Sequence, residues 1–139
     1  MAVKEEIEFT AWLKKFGAGK FLLGADVRDE KLSIHGWTEQ TDISIFDFIR
    51  KYTDRGITRV FCTDISKDGA MQGPSFRLYE KIIAEFPSLH FIASGGVSSI
   101  DDVYALQDLG VRGAIIGKAI YEGNIQLKDL RKLVEADGY

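Results

Sequence analysis

Polar and glycine residues follow four short apolar runs of the sequence, and they are the first candidates for chemistry. They are Asp26, Thr63-Asp64, Ser94-Gly95-Gly96 and Gly117-Lys118. If the runs are parallel strands, these groups converge, because ligands in parallel α/β folds meet the carboxyl ends of the strands. A carboxylate on an apolar strand is costly unless it is paired or used, and in a cleft it can act as a general acid or base.

Two of these groups predict a phosphate site. Gly95-Gly96 precedes a predicted helix start at Ser98-Ser99, and Gly117-Lys118 opens a short turn at residues 119–121. Glycine lets the backbone approach a phosphate closely, and free N–H groups at a helix start bind anions. If either group stood alone, its glycines could be explained by a tight turn between a strand and a helix. Two such turns on consecutive strands, with an extra short helix, favour phosphate.

Three further residues are candidates with a structural alternative beside each. Asp68 can contribute a carboxylate, although Asp-Gly is also a common turn. Thr63 can donate a hydroxyl hydrogen bond to a substrate, or serve as a β-branched strand residue. Trp37 follows His35-Gly36 in a loop, where its ring can stack on a planar ligand or pack on the rim of the fold.

Other classes of protein are disfavoured by composition. The formal net charge of the 139 residues is -3 and no basic run occurs, so neither nucleic acid nor an anionic membrane is an expected partner. No apolar stretch approaches the roughly 20 residues that span a bilayer. The start of the chain lacks the apolar segment of a signal peptide, and Cys62 is the only cysteine. We therefore expect a cytoplasmic location without disulfides.

Metal binding is not predicted either. Cys62 should face away from its neighbour Thr63 in a strand, which suits a small apolar filler rather than a nucleophile. His35 and His90 are too isolated in the sequence to complete a metal site.

The pattern of apolar residues predicts alternating helices and strands. Helices are predicted at residues 3–16, 44–55, 74–86, 100–109 and 127–136, and strands at residues 21–26, 59–64, 90–94 and 114–117. A small ribbon is predicted at residues 31–37. This order predicts an α/β fold of one domain over residues 1–139, with four βα units after an initial helix. It fits an open doubly wound sheet or part of a (β/α)8 barrel. No Gly-x-Gly-x-x-Gly follows the first strand, which counts against the open nucleotide-binding sheet.

Four motifs in this order resemble one enzyme family. They are Ala25-Asp26-Val27-Arg28-Asp29 with His35-Gly36-Trp37, then Cys62-Thr63-Asp64-Ile65-Ser66-Lys67-Asp68-Gly69, then Ala93-Ser94-Gly95-Gly96-Val97-Ser98-Ser99, then Ile116-Gly117-Lys118-Ala119 with Tyr121-Glu122-Gly123. The series, from about Val3 onward, is similar to the isomerases of histidine biosynthesis that convert ProFAR, an aminoaldose with two phosphates, to an aminoketose. The related cyclase of imidazole glycerol phosphate synthase matches less well, and a dual isomerase that also serves tryptophan synthesis remains an alternative.

The resemblance implies an Amadori rearrangement without metal or organic cofactor. It makes Asp26 the general acid that opens the ribose ring, with Thr63 and Asp68 as supporting polar residues. It assigns one substrate phosphate to Gly95, Gly96, Gly117 and Lys118, and closure of a loop over the substrate to Trp37.

The resemblance also predicts which part of the barrel this chain supplies. A whole barrel has roughly 250 residues, and the chain has 139. We expect it to form the C-terminal half, the equivalent of strands five to eight, without the catalytic base and the second phosphate site of the other half. We expect it to be inactive alone and to self-associate or pair with the other half, because open strand edges and apolar faces drive association. The alternative is a non-catalytic phosphate-binding half barrel.

Overall fold

A six-stranded sheet lies at the centre of the structure, a computed structural model that describes residues 1–136. Its strands in chain order are β1 (Leu23–Arg28), β2 (Lys31–Ile34), β3 (Glu39–Ser44), β4 (Arg59–Asp64), β5 (His90–Ser94) and β6 (Gly113–Ile115). Their spatial order is β3-β2-β1-β4-β5-β6, and β1, β4, β5 and β6 are parallel neighbours in chain order. The α/β class is confirmed, and the reversal of strand order typical of a doubly wound sheet does not occur in this part of the chain.

Helices connect and cover the parallel strands. They are α1 (Glu6–Phe16), α2 (Ile45–Thr53), α3 (Phe76–Glu85), α4 (Ile100–Leu109), α5 (Lys118–Tyr121) and α6 (Leu127–Ala136), with a 3-10 turn at Ala18–Lys20. The predicted bounds of α4 and α6 are confirmed. None of the helices in residues 1–136 is long and apolar enough to cross a membrane.

The helix ends follow from local chemistry. The Ser44 hydroxyl accepts a hydrogen bond from the N–H of Phe46 and caps α2. At the start of α4, Ser99 and Asp102 form a reciprocal capping box. Gly110 ends α4 with a φ of 99°, in the left-handed region that glycine adopts without a steric penalty.

The parallel strands present two different faces. We call the covered face the one whose side chains join the helices in the apolar core: Leu23, Ala25, Val27, Val60, Cys62, Phe91 and Ala93. We call the open face the one formed by the alternate residues: Gly24, Asp26, Phe61, Thr63, Ile92, Ser94 and Ile115. On the open face the Phe61 ring lies over Gly24, where an added Cβ would come within 2.5 Å of the ring. Ile115 is 48% exposed there.

The first strand differs from its prediction. Asp26 is not the last residue of the strand, because β1 continues to Arg28 by pairing with β2, Val27 opposite Leu32. The predicted ribbon is therefore the first strand of a hairpin that extends the sheet, and only the tip of β1 is paired on this side. The expectation of two wholly unpaired sheet edges is wrong at this edge.

Strand β3 was not predicted at all. Its sequence is EQTDIS, with little apolar signal, and none of its residues is buried. Side-chain hydrogen bonds hold it instead: Thr41 Oγ1 donates to the Leu32 carbonyl at 2.8 Å, and Ser33 Oγ donates to Gln40 Oε1 at 2.8 Å.

Other predicted bounds also shift, and helix α2 is shorter than predicted at Ile45–Thr53. Helix α1 begins at Glu6 rather than residue 3. Helix α3 begins at Phe76 rather than at Pro74, because Ser75 has a non-helical backbone. Strand β6 ends at Ile115, two residues before the predicted end, and the short helix predicted after it is confirmed as α5.

Candidate functional site

Polar side chains form one row across the carboxyl ends of the parallel strands. The Cα of Asp26 pairs with that of Thr63, Thr63 with Ser94, and Ser94 with Ile115. Residues in register on parallel strands point to the same face, which here is the open face. Adjacent strands lie about 4.8 Å apart, so Asp26 stands roughly 10 Å from Ser94. The row therefore spans a distance that suits an elongated ligand.

A cavity of about 270 Å³ opens at the β5–β6 end of this row. Its lining is Asp68, Gly69, Met71, Ser94, Gly95, Gly96, Val97, Ile115, Gly117 and Lys118. The structure thus brings together five of the eight predicted site residues. Asp26, Thr63 and Trp37 do not line this cavity; they lie toward β1 and β4.

Gly95 and Gly96 are required by the packing of a neighbouring loop. Their φ angles are +89° and +80°, which side chains rarely adopt. A Cβ on Gly96 would come within 2.4 Å of the Gly73 carbonyl oxygen, and the Gly73 N–H donates to the Gly96 carbonyl at 3.0 Å. The glycine pair therefore lets the loop after β4 lie directly against the loop after β5.

At the start of α4, the N–H groups of Ser98 and Ser99 are hydrogen-bonded within the chain. The Asp102 carboxylate Oδ2 accepts hydrogen bonds from the Ser98 N–H at 2.8 Å, the Ser98 hydroxyl at 2.7 Å and the Ser99 N–H at 3.2 Å. This helix end therefore already holds a carboxylate from its own chain. Within residues 1–136, the loop and cap hydrogen bonds include none donated by the N–H groups of Gly96, Gly117 or Lys118.

Lys118 supplies the cation of the cavity. Its Nζ donates to the Gly69 carbonyl at 3.1 Å and lies 3.7 Å from a Glu122 carboxylate oxygen. Helix α5 begins at Lys118, directly after Gly117, so the side chain projects from the loop after β6 toward the loop after β4. The ammonium group therefore bridges two of the loops that line the cavity.

The structure pairs Asp26 with Trp37, which the sequence did not indicate. The Trp37 Nε1–H donates to Asp26 Oδ2 at 3.0 Å. The hairpin tip makes this possible, because His35, Gly36 and Trp37 all have positive φ angles, 54°, 62° and 73°. The tip thereby turns the indole back over β1. The tryptophan remains 42% exposed, so a ligand can reach it.

The whole of this geometry lies in the part of the chain that matches a known family. The histidine biosynthesis protein family matches residues 1–126. The chain belongs to this family. The matched residues include all of the loops described above, from the β1 hairpin to α5.

Individual relatives carry one name. A protein of Parabacteroides distasonis is 53% identical over 130 residues, which is 94% of this chain and 54% of the relative. A protein of Azobacteroides pseudotrichonymphae is 54% identical over 132 residues, covering 95% of this chain and 55% of the relative. Each is named 1-(5-phosphoribosyl)-5-((5-phosphoribosylamino)methylideneamino) imidazole-4-carboxamide isomerase. The chain spans about half the length of these relatives.

Within this histidine biosynthesis chain, Cys62 takes no part in the site. Burial on the covered face raises the pKa of its thiol far above the usual range, and the nearby Asp64 and Asp26 charges raise it further. The thiol is therefore unreactive at neutral pH. Among residues 1–136, no three His, Cys, Asp or Glu side chains stand close enough to hold a metal ion.

Proposed function

We propose that this chain forms the strand-five-to-eight half of a (β/α)8-barrel isomerase that converts ProFAR to the aminoketose PRFAR in histidine biosynthesis. The observation that carries the proposal is the name shared by relatives about half identical over 94–96% of the chain. The sequential parallel strands and the polar row at their carboxyl ends support it, since barrel enzymes place their sites there.

Asp26 is the proposed general acid. An Amadori rearrangement opens the ribose ring, and this step needs a proton on the ring oxygen. The Asp26 carboxyl lies on the open face, in register with Thr63. In the substrate-free chain Trp37 donates to Asp26 Oδ2. When the substrate binds, the Trp37 indole leaves this oxygen and closes over the ligand, which frees the carboxyl to serve the ring oxygen.

One substrate phosphate is proposed to bind in the cavity between the β5 and β6 loops. The Lys118 ammonium provides the positive charge, and the N–H groups of Gly96 and Gly117 provide hydrogen-bond donors. A phosphate makes charge-assisted hydrogen bonds, which are stronger than the bond that Lys118 now makes to the neutral Gly69 carbonyl. Thr63 then lies between this phosphate and Asp26, and Asp68 lines the phosphate cavity.

The remaining chemistry is proposed to come from a complementary half. The rearrangement also needs a base that removes a carbon-bound proton, and the second phosphate needs its own site. The open face, with the exposed Ile115 and the free edge of β6, is the surface that such a half covers. Alone, the chain is expected to bind phosphate without turnover and to form dimers or larger assemblies.

The proposal is tested by complementation. Conversion of ProFAR is measured by chromatography with this chain alone, and again after co-refolding with the N-terminal half of the Parabacteroides distasonis isomerase. Turnover only in the mixture is the expected result. Binding of inorganic phosphate without turnover in either sample would reduce the function to a phosphate-binding half barrel. Turnover by the chain alone would show that the base lies within these residues.

A further inference from the structure

Asp64 follows Thr63 in β4, and its side chain lies on the opposite face of the sheet. Because side chains alternate along a strand, Thr63 faces the open side and Asp64 faces the helices. Asp64 is partly buried there, beneath the loop of residues 65–75 that connects β4 to α3. This loop carries Asp68 and lines the phosphate cavity.

The Asp64 carboxylate is bound to both ends of that loop. Its Oδ1 accepts hydrogen bonds from the Ser66 N–H at 3.0 Å and the Ser66 hydroxyl at 2.6 Å. Its Oδ2 accepts one from the Ser75 hydroxyl at 2.5 Å. A carboxylate is an acceptor with two oxygens, so it can hold these donors at the same time. The side chain thereby joins the first turn of the loop to the residue that precedes α3.

The Asp64 main chain fixes the turn that carries Asp68. The Asp64 carbonyl accepts hydrogen bonds from the N–H groups of Lys67 at 3.0 Å and Asp68 at 3.1 Å. On its other side this turn packs on Gly95, where an added Cβ would lie 3.3 Å from the Asp64 oxygen and 3.4 Å from the Asp68 Cα. Asp68 is itself exposed at the cavity. Its location therefore depends on Asp64 from one side and on Gly95 from the other.

We propose that Asp64 is a positioning residue, which anchors the 65–75 loop so that Asp68 is held at the substrate cavity. The inference rests on the proposed isomerase function for the role of Asp68 in the reaction. Asp64 itself does not touch the substrate, because it faces away from the open side and its oxygens are occupied by Ser66 and Ser75. It is therefore also not the base of the reaction.

The anchoring role of Asp64 is tested first by a measurement that does not depend on enzyme activity. Amide hydrogen exchange of Lys67 and Asp68 is measured by NMR in the full chain and in Asp64→Ala. The exchange rates should rise at least about tenfold, because the loss of one charge-assisted hydrogen bond changes an equilibrium by about that factor. Amides in the β4–β5 ladder should keep their protection. The matched control is Asp42→Ala, which removes an exposed carboxylate bound to Lys31 and should change neither amide. Unchanged exchange in Asp64→Ala would overturn the anchor.

Turnover in the complemented enzyme separates positioning from direct catalysis. Asp64→Ala should lower kcat, and the double variant Ser66→Ala/Ser75→Ala should lower it by a similar factor. Combining all three substitutions should add little, since they remove the same contacts. Asp64→Asn, which keeps one acceptor oxygen, should recover part of the activity. Full activity in the serine double variant beside an inactive Asp64→Ala would instead make Asp64 a catalytic group.

The two proposals fail separately. If the unaltered complemented enzyme has no turnover, the isomerase function fails, while the exchange rates still decide whether Asp64 anchors the loop. The dissociation constant for inorganic phosphate is measured on the same variants. It should rise in Asp64→Ala and stay unchanged in Asp42→Ala, because Lys118 donates to the Gly69 carbonyl of the anchored loop and this loop lines the cavity.

Discussion

The covered and open faces of the sheet are built from alternate residues of the same strands, yet they carry different properties. On the covered face, side chains such as Val60 and Phe91 are fully buried among helices. On the open face, the equivalent positions hold Phe61 over Gly24, the exposed Ile115, and the polar row that begins at Asp26. The free energy of folding thus comes mainly from the covered face, and the open face is the one to which we assign the proposed ligand and complementary half.

The largest expected effect on the open face is a loss of activity without a loss of folding. In the complemented enzyme, Asp26→Asn removes the proposed acid and should lower kcat by about 10²–10⁴. Substrate affinity should change little, because the amide has the same size and still accepts from Trp37. Steady-state kinetics check the loss of activity, and a thermal melt checks that folding is retained. Normal turnover by Asp26→Asn would remove the acid from this residue.

The same substitution should cost more stability against the covered face than on the open face. Ile82 of α3 is fully buried against the covered face, and Ile82→Ala should cost about 2–5 kcal/mol of unfolding free energy. Ile115 is 48% exposed on the open face, and Ile115→Ala should cost less than about 1 kcal/mol. Urea unfolding of the chain at low concentration measures both. Equal losses would show that the open face is also packed.

Two glycines of the cavity, Gly96 and Gly117, should also differ in how much stability their substitution costs. Gly96→Ala places a methyl group against the Gly73 carbonyl at a positive φ, so it should cost about 1–3 kcal/mol and displace the loop after β4. Gly117 has a φ of -122° and no atom within 4 Å of its added Cβ, so Gly117→Ala should leave stability unchanged. Thermal melts compare the two variants. If both are equally stable, the close approach at Gly96 has no energetic role.

The smallest expected effect is a change of stability with pH, and it comes from the helices of the covered face. Hydrogen bonds from Lys51 and then Arg55 lower the pKa of Glu6 below its ordinary value of 4.5. A lowered folded-state pKa stabilises the chain above the unfolded value, and this contribution is lost as the pH falls through the folded pKa. Glu6→Gln should therefore reduce the melting temperature slightly at pH 7 and by less at pH 3. A constant difference between the two pH values would contradict the assignment.

Periodic and apolar segments could be predicted from the sequence. Strands at residues 59–64 and 90–94 are apolar runs with clear limits, and α4 and α6 have strong amphipathic or capping signals. Strand β3 could not be predicted, because its stability comes from hydrogen bonds to β2 rather than from its own apolar residues.

The residues of the candidate site could be predicted from the sequence, but the hydrogen bonds between them could not. Polar residues after apolar strands correctly indicated the edge of the sheet where the cavity lies. The bond between Trp37 and Asp26 depends on three consecutive positive φ angles, which residue types alone do not specify. The cap of α4 depends on Asp102, the third residue of the helix, whose side chain reaches back to Ser98.

The Asp102 cap also determines how the cavity should respond to ionic strength. With an internal counterion at the start of α4, the long-range attraction for a phosphate rests on Lys118, and Glu122 opposes part of it. The affinity for phosphate should then weaken only modestly with added salt, as expected for one partly screened cation rather than for a strongly positive pocket. In the proposed function, the phosphate is therefore selected by shape and directed N–H groups more than by net charge.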